Sequence, residues 1–138
     1  MSESHIRGIS TTLSLLDKGL CEFDEWAKGR EVRSVLYEVR NPLSSEQRRS
    51  ISELVGEMQS ILAEISGTLH LEGTVRGVDK MISGSCSVLW VSLAELESRH
   101  LRRYGELPPG LAEYLDPKAT LLIEKLGNIA NIVATGSR

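Results

Sequence analysis

Glu97 and His100 are the residues of this chain whose spacing best suits metal chemistry. An i, i+3 pair on a helix aims a carboxylate and an imidazole at one point, which is how some helical bundles hold metal ions. A complete site needs a second such pair, and the sequence has none. The two residues are therefore weak metal candidates, and the alternative is a solvated pair on a helix flank. No cofactor is predicted.

Arginines concentrate in two segments, residues 28–49 and 99–118. The forked guanidinium group donates paired hydrogen bonds to phosphates and carboxylates, so these segments predict a site for a small anion or an acidic partner. The alternative is a solvated surface in which arginines near helix ends complement the helix dipole. The candidate anion-binding or partner-binding residues are Arg40, Arg48, Arg49, Arg99, Arg102 and Arg103.

A third motif is the string YEVRNPL over residues 37–43. It resembles the H-box of sensor histidine kinases, with Tyr37 at the position of the phospho-accepting histidine. The resemblance implies a dimeric helical scaffold that docks an acidic receiver-like partner, although a phosphohistidine cannot form at a tyrosine. A degenerate dimerisation and phosphotransfer scaffold is thus one alternative function, and a metal-binding bundle is another. The same string also fits a simple turn that ends a helix, since its proline disfavours helical geometry at Asn41.

Composition limits the class of protein. The chain has 138 residues, of which 41% are hydrophobic, 25% charged and 4% aromatic, and its formal net charge is −3. This length suits one domain, the low aromatic content favours helices, and the small net charge gives no reason to expect nucleic acid or a membrane as partner. The sequence shows no basic leader, no continuous apolar span and no C-x-x-C pair, so we expect a cytoplasmic protein with reduced thiols.

Apolar periodicity predicts the helices that must position these residues. A ladder with alternating steps of three and four runs from Ile6 to Ala27 and predicts a long first helix. Its register fails near Gly29, and a displaced apolar stripe over residues 32–43 predicts that the helix continues after a break. We refer to the ladder from Ile6 to Ala27 as the first-helix seam.

Three further helices follow. Ser44 and Gln47 form a capping box that predicts the start of the second helix. Asp116 followed by Pro117 predicts the N-cap and first residue of the last helix, which is apolar around most of its circumference, as is typical of a helix central to a bundle or shared with another subunit. The second helix is predicted to end in the region of residues 67–73, the third to run from about 74 to about 104, and the last to run from 116 to about 135.

The predicted architecture is a single all-α domain over residues 1–138, an up-and-down four-helix bundle whose long first helix is broken near residue 29. No Ser-His-Asp or Cys-His set can be assembled from the sequence, so we predict a non-catalytic interaction or regulatory module. The expected partner is a second copy, joined through the first-helix seam or the last helix, or another protein.

Overall fold

A computed structural model describes residues 1–136, and it confirms the all-α class. The helices are α1 (Glu3–Ala27), α2 (Ser45–Leu69), α3 (Val78–Ala94), α4 (Ser98–Leu101) and α5 (Leu111–Gly136), with a 3₁₀ turn at Arg102–Tyr104 and a small hairpin of β1 (Val32–Arg33) and β2 (Glu38–Val39). The chain divides into two compact units, Met1–Thr74 and Val75–Arg138. The single domain and the up-and-down four-helix topology stay predictions.

In the N-terminal unit α1 and α2 pack as an antiparallel pair. The first half of α1 and the second half of α2 line one cleft, and their opposite ends line another. The first-helix seam faces α2, since Leu20 at its centre is 0% exposed and Val55 of α2 is 3% exposed. Burial of branched aliphatic side chains along this contact is the main stabilising term of the unit.

The predicted continuation of the first helix over residues 32–43 is wrong. Gly29 has a φ of 89° and ends α1, and β1 and β2 then pair antiparallel with Val32 opposite Val39. The apolar spacing of this segment fits a helix or a strand. Valine is β-branched and suits a pleated strand better than a helix, which favours the hairpin.

Asn41 fixes the segment after the hairpin to the end of α1. Its side-chain amide donates to the carbonyl oxygens of Trp26 at 2.7 Å and Arg30 at 3.2 Å, and its backbone N–H donates to the Glu31 carboxylate at 3.0 Å. Carbonyls at a helix C-terminus have no partner within the helix, so the amide supplies one that the sequence pattern did not reveal.

The predicted capping box at the start of α2 is confirmed. The Gln47 N–H donates to Ser44 Oγ at 3.1 Å, and the Ser44 N–H donates to Gln47 Oε1 at 2.9 Å. Each side chain thereby satisfies a backbone donor that the helix leaves free. The helix ends at Leu69, and His70 follows in the left-handed conformation with a φ of 53°.

In the C-terminal unit α3 and α5 also pack antiparallel. The beginning of α3 and the later part of α5 line one groove, while Ser98, just beyond the other end of α3, bonds to Asp116 in the first half of α5. The most buried residues of this unit are small, with Cys86 of α3 7% and Ala119 of α5 1% exposed. Small side chains let the two helices approach closely.

Two predicted boundaries in this unit are wrong. The third helix ends at Ala94 instead of near residue 104, and α5 begins at Leu111, so Pro117 lies inside it. Asp116 does not cap its own helix; its carboxylate accepts from the Ser98 N–H and hydroxyl, both at 2.8 Å. It therefore caps α4 from another part of the chain, which local spacing cannot reveal.

Candidate interaction surfaces

Glu97 and His100 lie together at the start of α4 without forming a ligand set. Glu97 occupies the extended N-cap position, and its carboxylate accepts from Arg99 Nε at 2.9 Å. The His100 backbone N–H donates to the Glu97 carbonyl oxygen. Within residues 1–136, no group of three or more His, Cys, Asp or Glu side chains is placed to hold a metal ion. The metal candidate stays a prediction.

The six candidate arginines divide between the two units. In the N-terminal unit Arg40 Nε donates to the Glu38 carboxylate at 3.1 Å. Arg48 lies over Gly29, and its buried Nε has no hydrogen-bond partner among the described residues. Arg48 and Arg49 line a shallow cleft of about 350 Å³ at the start of α2. Neither of these two arginines forms an ion pair among the described residues, although the Glu53 carboxylate also lines the cleft.

The arginines of the C-terminal unit are engaged with neighbouring groups. Arg103 pairs with the Glu95 carboxylate and donates from Nε to the His100 carbonyl oxygen at 3.1 Å. Arg102 lies close enough to Asp116 to contribute to lowering the pKa of that carboxyl group, after the larger effect of the two Ser98 hydrogen bonds. These contacts hold the connector between α3 and α5 and leave less of the cationic surface for a ligand.

Tyr37 lies in the loop between the two strands, and its carbonyl oxygen accepts from the Ser34 N–H at 3.0 Å. The helical position that the H-box resemblance implies for this residue is therefore not what the fold provides. The same loop carries Val35 and Leu36, which are 93% and 95% exposed and form what we term the hairpin tip.

The α1–α2 pair leaves an apolar strip on one side. Leu54, Met58 and Ile61 follow one another along α2 with steps of four and three and are all exposed. We call these three residues the α2 flank. Charged side chains such as Glu53 and Glu57 flank the strip on α2, as expected of an amphipathic helix. On α1, Leu15, Phe23 and Trp26 are also exposed.

The most apolar exposed surface belongs to the α3–α5 pair. An open groove of about 410 Å³ lies between these helices, with Cys86 at its base. We refer to it as the C-terminal groove. Its lining contains no charged side chain. The lining residues are Val78, Met81, Ile82, Ser85, Cys86 and Leu89 of α3, and Leu126 and Ile129 of α5.

Large apolar side chains also remain exposed elsewhere on this pair. Val88 and Val91 of α3 and Leu121 and Ile132 of α5 are about half to two-thirds exposed. Residues 81–94 contain no charged residue at all. A surface helix normally carries charged side chains on the face that points away from its neighbour, whereas the exposed face of α3 presents apolar and serine side chains.

The total exposed area is also large. The chain exposes 11,080 Å². Two independently folded units of half its mass would together expose roughly 8,600 Å². The comparison treats the units separately and so does not depend on their arrangement. The chain therefore exposes roughly 2,500 Å² more than two compact units would, and its elongated helix pairs and exposed loops contribute to that difference.

The periodicity of the last helix indicated that it would be central or shared, but it did not reveal the groove. The signal that could have found it is the uncharged run over residues 81–94. Among residues 1–136, none of the helices has the combination of length and apolarity needed to cross a membrane. No family model, curated protein or solved structure matches this chain.

Proposed function

We propose that this chain is a non-catalytic, cytoplasmic helical module that acts by binding protein surfaces. The observation that carries the proposal is the exposed apolar surface of the α3–α5 pair, with Met81, Leu89 and Ile129 around an uncharged groove. Folded monomers rarely expose contiguous apolar patches of this kind, and those that do use them as interaction sites. Because the lining of the groove has no charge, we expect its binding partner to be an apolar protein surface and not an anion or a nucleic acid.

The clefts of the N-terminal unit give less support to a catalytic role. The cleft between the first half of α1 and the second half of α2, of about 310 Å³, contains Asp17 and Glu72 among serines and aliphatic residues. Its lining has no histidine, so the serines there lack the imidazole that most often activates a serine nucleophile. The proposal therefore rests on binding and assigns no reaction.

The proposal is tested with the double variant Met81→Glu, Val88→Glu, which charges exposed positions of α3. The matched control is Leu15→Glu, an exposed leucine on α1. Molecular mass by light scattering and quantitative co-purification from the source cells are measured for each. We expect association, with itself or with another protein, to be lost in the double variant and kept in the control. The proposal would be refuted if the wild-type protein were monomeric and co-purified with no protein that the double variant fails to co-purify.

A further inference from the structure

We propose that the cleft at the start of α2 binds a phosphate group, carried by free phosphate or by a small phosphate ester. This cleft belongs to the N-terminal unit, whereas the proposed function concerns the α3–α5 pair. We refer to it as the arginine cleft. It has a volume of about 350 Å³ and is lined by Ala27, Ser45, Arg48, Arg49, Ser52 and Glu53.

Arg48 is a partly buried cation without a counter-ion. Its side chain packs over Gly29, just beyond the end of α1, where a Cβ atom would collide with Nη1. Among residues 1–136, its Nε is the one buried side-chain nitrogen or oxygen without a hydrogen-bond partner, and no carboxylate lies within ion-pair distance of its guanidinium group. The group has lost part of its hydration and has gained no partner in return. An anion would supply that partner.

The enclosed Nε does not prevent an anion from neutralising this group. The positive charge of a guanidinium is delocalised over its three nitrogens. Oxygens that accept hydrogen bonds from the two terminal nitrogens therefore stabilise the whole cation. Because the Arg48 side chain lines the arginine cleft, a ligand in the cleft reaches it from the solvent side.

Arg49 adds a second positive charge that the helices do not require. Cations are stabilised at the C-terminal end of a helix and destabilised at the N-terminal end. Arg48 gains from the end of α1, against which it packs, but Arg49 lies near the start of its own helix, exposed and without an ion pair. Two arginines and the single carboxylate of Glu53 give the lining one net positive charge.

The arrangement of the donors favours phosphate over carboxylate. Residues spaced i, i+3, i+4 and i+7 lie on one face of a helix. Four donor side chains of α2 have this spacing and line the cleft, namely Ser45, Arg48, Arg49 and Ser52. A phosphate group accepts hydrogen bonds on oxygens that point in several directions, whereas the two oxygens of a carboxylate lie in one plane. Two guanidinium groups and two hydroxyls therefore match a phosphate better.

The experiment is a titration of the full chain with inorganic phosphate at constant ionic strength, followed by two-dimensional ¹H–¹⁵N NMR. The Nε–Hε resonance of Arg48 reports on the cleft directly, because this nitrogen is buried. We expect saturable shifts of that resonance and of the backbone amides of Arg49 and Ser52. Acetate should bind at least about tenfold more weakly. Methyl phosphate distinguishes the two sources, because it should bind at least as tightly as phosphate if the ligand is an ester and more weakly if it is the free ion.

Two variants each remove one guanidinium group. Arg49→Gln changes an exposed side chain and Arg48→Gln the packed one, and each should weaken phosphate binding at least about tenfold. Glu53→Gln should strengthen it by up to about fivefold, since it removes the carboxylate from the lining. The matched control is Arg7→Gln, at an exposed arginine of α1 without an ion pair, which should leave the affinity unchanged. Far-UV circular dichroism confirms that each variant keeps its helical content.

Three results would overturn the inference, and none of them bears on the C-terminal groove. Shifts that stay absent or linear up to about 50 mM phosphate would show that the cleft has no binding site. Equal weakening in Arg7→Gln and Arg49→Gln would show a general effect of protein charge. Acetate that binds as tightly as phosphate would exclude phosphate as the ligand that these donors select.

Discussion

The two helical pairs of this molecule bury opposite kinds of side chain. The α1–α2 pair encloses the large aliphatic residues Leu20 and Val55, whereas the α3–α5 pair encloses the small residues Cys86 and Ala119. The charge distribution differs in parallel. Helix α1 has seven charged residues among 25, whereas α3 has two among 17, both in its first turn. Both pairs expose some large apolar side chains, and they are more numerous on α3 and α5 than on α1 and α2.

The difference shows that similar topology does not make two equivalent units. An amphipathic pair with its large residues inside has used most of its apolar surface, and water solvates the rest. A pair with small residues inside keeps its apolar surface for a further contact. On the function proposed above, the first unit is stabilised mainly by its own packing, and a partner would cover the exposed apolar surface of the second.

The largest effect is expected from Leu20→Ala. Removing a fully buried leucine from the α1–α2 contact should lower the free energy of unfolding of the N-terminal unit by about 3 kcal/mol. Urea denaturation followed by Trp26 fluorescence, in a Trp90→Phe background, measures this unit alone. Leu15→Ala, at an exposed position of the same helix, is the control and should change little. Equal losses in both variants would contradict the assignment of the core.

The second prediction is the inverse substitution in the C-terminal unit. Ala119→Leu should destabilise it by about 2 kcal/mol, because a larger side chain forces apart helices that approach closely. Trp90 fluorescence in a Trp26→Phe background is the readout. Thr120→Leu, at the exposed neighbouring position, is the control. If Ala119→Leu were stabilising, the α3–α5 contact would be loosely packed and the contrast between the pairs would fail.

A smaller effect is expected at the start of α2. Ser44→Ala removes the side-chain acceptor of the capping box and should cost the N-terminal unit about 1 kcal/mol. Ser45→Ala, at the first helical residue, lacks that role and serves as the control. The same fluorescence assay on Trp26 measures both. A loss of similar size on the Trp90 signal would indicate that the two units do not unfold independently.

The smallest effect concerns acid stability. Hydrogen bonds from Ser98 hold the pKa of Asp116 below its ordinary value, so the ionised carboxylate stabilises the folded C-terminal unit. This contribution is fully present above the ordinary pKa of about 3.9 and is lost as pH falls through the lower pKa of the folded state. Asp116→Asn should therefore flatten the pH dependence of unfolding reported by Trp90 in this acid range. An unchanged pH profile would show that the α4 cap does not couple to folding.

Several elements could be predicted from the sequence because their signals are local. The first-helix seam defines α1, and the pairing of Ser44 with Gln47 defines the start of α2. Neither depends on residues far along the chain. The hairpin is not evident from the sequence, because the spacing of Val32 and Val39 fits either a helix face or paired strands. Asn41 favours the hairpin by bonding to the carbonyl oxygens of Trp26 in α1 and of Arg30 just after it.

The candidate sites were less predictable. The arginines could be identified as a set, yet Arg40, Arg99 and Arg103 each pair with a nearby carboxylate that the spacing did not single out. The C-terminal groove depends on which side of α3 meets α5. An apolar helix has no polar face to mark its orientation, so the sequence showed that α3 and α5 needed neighbours without showing which residues stayed uncovered.

By itself, the sequence determined the helical class, the course of α1 up to Gly29, the beginning of α2 and the scarcity of charge in α3, because each of these depends on residues within a few turns of one another. Tertiary structure alone decided that residues 32–39 form a hairpin, that Asp116 caps α4, and that small residues occupy the α3–α5 contact. The physical reason is that any part of the chain can supply the hydrogen-bond partner of a backbone donor or the cover of an apolar face. Local periodicity does not specify which part does so.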